Sequence, residues 1–208
     1  MMQVVMDMMR FIIVALATAA LVWLARTIVK AVILTRMMQG RHKECMAMLE
    51  RLPAILLLGQ QDMAFLKLKC SFLMQDDEMV RHALEDLGYI TDPVKKKQIF
   101  ADAFNYYTGK KDQEKARIWL EKIRSLADPL MEKECERVYD IFIMKSDKYL
   151  DELLSELYQL PDKRKAINEY LISVIYLNRH DDANHQKYRT LAQDHLAAIS
   201  EELIIPHD

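Results

Sequence analysis

Glycine is scarce in this chain, with four among 208 residues, at positions 40, 59, 88 and 109. So sparse a set cannot assemble a GxGxxG fingerprint or a P-loop, which removes the usual phosphate-cradling motifs. Gly109-Lys110-Lys111 looks like the end of a phosphate loop, but position 104 is Phe104 where that loop needs a glycine, and Asp112, not Ser or Thr, follows the lysines. Proline is nearly as rare, at five residues. Together the two are too few for the many turns of an all-β fold, so an all-α fold is expected. Cysteine is odd in number and widely spaced, at Cys45, Cys70 and Cys135, each inside an apolar helical pattern. Such thiols read as reduced core residues and point to a reducing compartment. No charge sign dominates: 29 Lys and Arg against 31 Asp and Glu leave −2 and a pI near 6.3. There is therefore no global attraction to nucleic acid. The 51% apolar and 29% charged fractions describe a folded protein with a wet surface.

Residues for chemistry are also missing. Six histidines are scattered, and the densest stretch is HDDANH from His180, where Asp181 and His185 stand four apart. Two ligands do not hold a metal, so the stretch reads as a polar turn opening the last helix. Glu132 and Glu136 form an acidic pair at helical spacing, on what reads as a solvated face. The expectation is a non-enzymatic protein without metal or cofactor.

What is present begins with FIIVALATAALVWLARTIVK, Phe11 to Lys30. Phe11 to Ala25 is free of charge but covers only about 22 Å as a helix, short of a roughly 30 Å hydrocarbon core. Met8 and Met9, or Thr27 to Val29, extend it, with Arg10 and Arg26 reaching toward headgroups. The span is placed at residues 8–28, after a tail at 1–7. A cleaved signal would carry its positive charge before the run and a small-residue site after it; here Arg10 precedes, while Arg26, Lys30, Arg36, Arg41 and Lys43 follow. The order favours a single-pass anchor over a signal or a buried core helix, with the C-terminal side in the cytoplasm. Ala15 and Ala19, four apart, offer a small-residue patch through which two anchors could dimerise.

The rest of the chain repeats. Apolar triplets recur at Cys45, Leu49, Leu52; Val80, Leu84, Leu87; Ala116, Leu120, Ile123; and Leu150, Leu154, Leu157, with first members 35, 36 and 34 residues apart. Between them lie partner helices over residues 61–74, 94–107, 130–144 and 163–177. Phe100, Ala103, Phe104 and Tyr107 form one stripe of such a helix, as do Val138, Tyr139 and Phe142, and Ile167, Tyr170, Leu171 and Val174. Each pair carries more apolar surface than it can bury alone, so neighbours must stack. PAILLLGQQ after Leu52 falls outside the pattern: it either lengthens the next helix or lies against the membrane beside the anchor.

AFNYYTGKKDQEKARIWLEKIRSLADP resembles a tetratricopeptide repeat, through Ala103 and Tyr106 or Tyr107, Gly109 in the turn, then Ala116, Leu120, Ile123 and Pro129. The other units share the period and the triplet but lack several of the family's small residues. The resemblance implies a helical-repeat domain over 29–200, closed by a capping helix in DDANHQKYRTLAQDHLAAI and followed by a tail at 201–208. It also implies a concave surface on the first helices where a peptide or helix of a protein partner docks. The residues off the buried stripe there are Lys67, Ser71, Gln98, Asp102, Asn105, Glu136, Asp140, Glu169 and Ser173. The expected function is thus a membrane-anchored interaction or scaffold module. The alternative is an electrostatic binder of anionic lipid or nucleic acid through the interval Lys95 to Arg124, within a stretch from Asp92 carrying nine positive and five negative residues. Nucleic acid is the weaker partner, since the aromatics of that interval fall on the buried stripe.

Overall fold

Aspartate opens most of the later helices. Asp76 accepts the backbone N–H of Glu78 and Met79, Asp92 that of Val94 and Lys95, Asp112 that of Lys115, Asp128 that of Met131 and Asp181 that of Asn184. Each satisfies donors that a helix start leaves unpaired. Pro93 and Pro129 add a preset φ at the first helical residue. The computed structural model describes residues 2–202. Among these are eleven α-helices, one 3-10 turn and no strand. They are α1 (Met2–Met38), α2 (His42–Leu49), α3 (Leu52–Leu57), α4 (Gln60–Met74), α5 (Asp77–Glu85), α6 (Pro93–Gly109), α7 (Gln113–Arg124), α8 (Pro129–Phe142), α9 (Leu150–Glu156), α10 (Asp162–Asn178) and α11 (Asp182–Glu202), with the turn at Asp86–Tyr89.

The turns repeat as well. Of the seven described residues with positive φ, Gly40, Gln75, Lys111, Lys145 and His180 lie between 54° and 75°, while Gly59 and Ala127 stand outside this series. Each of the five follows the end of a long helix, α1, α4, α6, α8 and α10, at intervals of 35, 36, 34 and 35 residues. A left-handed residue there lets the chain reverse while its N–H groups return to the last carbonyls, as Lys111 N does to Thr108 O and Asp112 N to Tyr107 O. Gly109 does not make its turn; it ends α6, and Lys111 carries the reversal.

The chain divides into two units, Met1–Asp102 and Ala103–Asp208. In the first, α2 and α3 pack on α1, and α4 packs on α2, α3 and α5. Its core holds Ile33, Cys45, Leu49, Leu58, Leu66, Leu68, Cys70 and Val80. The buried Cys45 and Cys70 thiols lie near each other, and Cys45 donates to the Ile33 carbonyl at 3.5 Å. In the second unit, α7 packs on α8, and α10 packs on α8, α9 and α11. Ile141, Leu150, Leu153, Leu171, Ile172 and Ile175 form its core. Arg137 is buried beside it, donating to Glu152 and Glu156 at 3.0 Å each.

Several expectations need correction. Residues 2–7 belong to α1 and are not a separate tail; of 201–208, residues 201 and 202 continue α11 and the others lie outside the described residues. PAILLLGQQ does not lengthen α4 as one helix: Pro53 to Leu57 belong to a separate helix, α3, and Gly59 at φ +33° separates it from α4, which starts at Gln60. The triplet of α7 is wholly buried, but Leu52 is exposed, and Leu84, Leu87, Leu154 and Leu157 are half-buried. On α10 the expected stripe is only partly right: Leu171 is buried and Val174 half-buried, but Ile167 and Tyr170 are exposed while Ala166, Ile172 and Ile175 are buried. The reason is that α10 packs against helices on more than one side, so its apolar residues do not trace a single stripe.

Candidate interaction surface

α1 is the one helix among the described residues long and apolar enough to cross a membrane, over Met8–Met38. None of its most apolar stretch is covered by the rest of the chain, which separates it from a core helix. Ala15 and Ala19 lie on this open part, in a shallow depression shared with Thr18, Val22 and Trp23. From Arg26 onward one stripe of α1, through Lys30, Ile33 and Met37, turns toward the first unit.

That stripe meets a buried carboxylate. Asp62, near the start of α4, receives Arg26 at 2.7 Å, Lys30 at 3.1 Å and Lys95 at 2.5 Å. Burial alone would raise its pKa, but the hydrogen bonds from Arg26, Lys95 and Lys30 outweigh that and hold the carboxyl well below the usual range. Three cations around one anion leave this corner of the unit positive.

In the second unit, α9, α10 and α11 enclose an open hollow. Leu154, Leu157, Tyr158 and Leu191 supply its apolar walls, with Lys165, Glu169, Lys187 and Tyr188 around them. Tyr158 is 92% exposed, a large ring left in water at the rim. Tyr188 stacks on Tyr176 at 5.7 Å, which fixes one wall. Glu169 is buried on the floor with His195 Nδ1 at 2.7 Å from its Oε2. The hollow therefore combines apolar walls with a few fixed polar groups.

The nine residues proposed from the sequence divide between the units. Lys67, Ser71, Gln98 and Asp102 fall in the first, and Asn105, Glu136, Asp140, Glu169 and Ser173 in the second. Gln98 and Asn105 are exposed and Lys67 is half-buried. Asp102 pairs with Lys69 at 2.8 Å, Glu136 with Arg124, and Asp140 with Lys148 at 2.5 Å and the Tyr149 hydroxyl at 3.2 Å. Ser71 and Ser173 are fully buried and face no open groove, and Glu169 is buried but lines the hollow. Both serine hydroxyls donate back to their own helix, to Lys67 O and Tyr170 O. Only Glu169 reaches the hollow. Leu157, Tyr158, Lys187, Tyr188 and Leu191 were not among the nine, because they lie just after α9 and on α11, while the nine were taken from the first helices.

The basic interval is partly spent on internal partners. Lys95 serves Asp62, Lys115 lies 3.1 Å from Asp112, and Arg124 pairs with Glu121 at 2.5 Å and with Glu136. Its aromatics, Phe100, Phe104, Tyr106 and Tyr107, are buried. Asp181 and His185 do not converge on a site: Asp181 caps α11, and His185 Nδ1 lies 2.8 Å from Ser173 O. No cluster of three metal-ligating side chains occurs among the described residues. Comparison of the chain with family models, curated proteins and solved structures finds no match to any of them.

Proposed function

We propose that this chain is a membrane-tethered interaction module: α1 anchors it in a single pass, the remainder lies on the cytoplasmic side as tetratricopeptide-like helical hairpins, and a segment of a protein partner docks in the α9–α11 hollow. The hollow carries the reading, because exposed Tyr158 and the leucines beside it form an apolar surface that, among the described residues of the second unit, stands open. The anchor rests on the uncovered apolar length of α1 and on the excess of basic residues after it. Support for the hairpin array comes from the left-handed turns at 34 to 36 residues, a period independent of the apolar triplets. Electrostatic binding of lipid or nucleic acid through residues 95–124 is the weaker reading, since several of those cations already have carboxylate partners and the rings are not open to bases.

A photo-crosslinking amino acid at position 158 in native membranes tests it. A protein adduct is expected there, lost when Leu191→Asp places a charge in the hollow. No adduct at 158, together with vesicle or RNA binding that weakens steeply with salt, would replace this function with the electrostatic one.

A further inference from the structure

The first unit has a second uncovered apolar face besides that of α1. α3 buries Ala54, and the following Leu58, but turns Leu52, Ile55 and Leu56 outward at 72%, 51% and 79% exposure. Its place is set by its neighbours. α2 runs back along α1, with Cys45 at the Ile33 carbonyl and Arg36 at Glu44 and Met48. Just after α3, Asp62 at the start of α4 meets Arg26 and Lys30. α3 lies between these two elements in the chain and packs on α1. Its neighbours in the chain meet α1 at Ile33 and Arg36 on one side and at Arg26 and Lys30 on the other, just past the uncharged run Phe11 to Ala25.

The open side of α1 stays apolar past that run. Leu24, Ile28, Ala31 and Val32 are exposed, opposite the stripe that faces the unit. Arg26 and Lys30 bend to Asp62, so their charges do not interrupt it.

We propose that α3 is a second membrane contact: Leu52, Ile55 and Leu56 enter the boundary between headgroups and acyl chains beside α1, seating the first unit on the bilayer. This rests on the reading of α1 as a span. Lipid is the occupant because the face continues the open side of α1 at the depth where the span ends. Arg51 at the start of α3 adds a cation beside this face that complements anionic headgroups. Short apolar helices of this kind bind an interface firmly only when a second element holds them there, and α1 is that element.

The test uses the full chain in vesicles of phosphatidylcholine with phosphatidylglycerol, carrying Cys135→Ala so that only an introduced cysteine is open to labelling. An environment-sensitive fluorophore is placed in turn at Leu16, Leu56 and Glu78, the last at the start of α5, beyond the far end of α4, whose path from Asp62 to Met74 covers about 18 Å at 1.5 Å per residue. A nitroxide on the lipid acyl chain is expected to quench positions 16 and 56 by about twofold or more and to leave 78 bright, as burial at the interface requires. Quenching at 16 without quenching at 56 would overturn the α3 contact and leave the span intact. Absence of quenching at 16 would overturn both. As a second readout on the unlabelled chain, Ile55→Asp with Leu56→Asp should speed tryptic cutting after Arg51 in vesicles while the melting temperature holds. Equal cutting rates would also overturn the contact.

Discussion

Arg26 Nη2 lies 2.7 Å from Asp62 Oδ2, joining the end of the uncharged run to the first turn of a helix 36 residues further on. Lys30 and Lys95 share the same carboxylate, so one buried acid organises α1, α4 and the start of α6 within the first unit. Asp62→Asn should destabilise the protein by about 1 to 3 kcal/mol. That is below the roughly 3 to 5 for a fully buried pair, because the cations left behind still reach water. Changing any one of the three cations should cost less, since two partners remain. Chemical denaturation of the four variants checks the order.

The same carboxyl sets a pH dependence. Its folded pKa is depressed, so its contribution is fully present above the unfolded value of about 3.9 and is lost as pH falls below it toward the folded value. Melting curves between pH 7 and pH 3 should show the wild type losing more stability than Asp62→Asn at the acid end. Parallel losses in the two proteins would remove Asp62 as the source.

Non-glycine residues held at positive φ store strain. Lys111→Gly and Lys145→Gly should each raise stability by a few tenths to about 1 kcal/mol, relief of strain being partly offset by the added freedom of the unfolded chain. A lowered melting temperature for both would contradict the left-handed turns.

Leu153 is fully buried and Leu154 is not. Leu153→Ala should cost about 2 to 5 kcal/mol through lost transfer energy and a cavity, and Leu154→Ala clearly less. Because Leu154 also lines the hollow, its loss should weaken partner adducts at Tyr158 more than it weakens the fold. Leu120, buried on α7, should behave like Leu153, although its counterpart in the repeated triplet is the half-buried Leu154.

The Cys45 and Cys70 thiols are inaccessible, and burial pushes Cys70 up to about 12 and Cys135 to about 11, while Cys45 is raised by the same cause. Neutral alkylating reagents at pH 8 should leave Cys45 and Cys70 unmodified in the folded protein and label them only through unfolding. Mass spectrometry of the labelled sites gives the answer.

Helix position was written in local sequence. The apolar spacing placed partner helices at 61–74, 94–107, 130–144 and 163–177, and the structure has α4, α6, α8 and α10 at those places, with ends differing by a residue or two. Spacing reports a helix face, and aspartate or proline marks a helix start, so both are legible within a few residues. The uncharged length of α1 was legible for the same reason. What lay beyond local reach was decided by packing. The face of α10 could not be read from one stripe, because α8, α9 and α11 all lie against it. The turns hid behind lysine, glutamine and histidine where glycine would have announced them. Cys45 and Cys70, 25 residues apart, and Asp62 with its three cations meet only when α1, α2, α4 and α6 come together. The hollow beside Tyr158 has no sequence signal either, since a concavity is the space between helices and belongs to none of them.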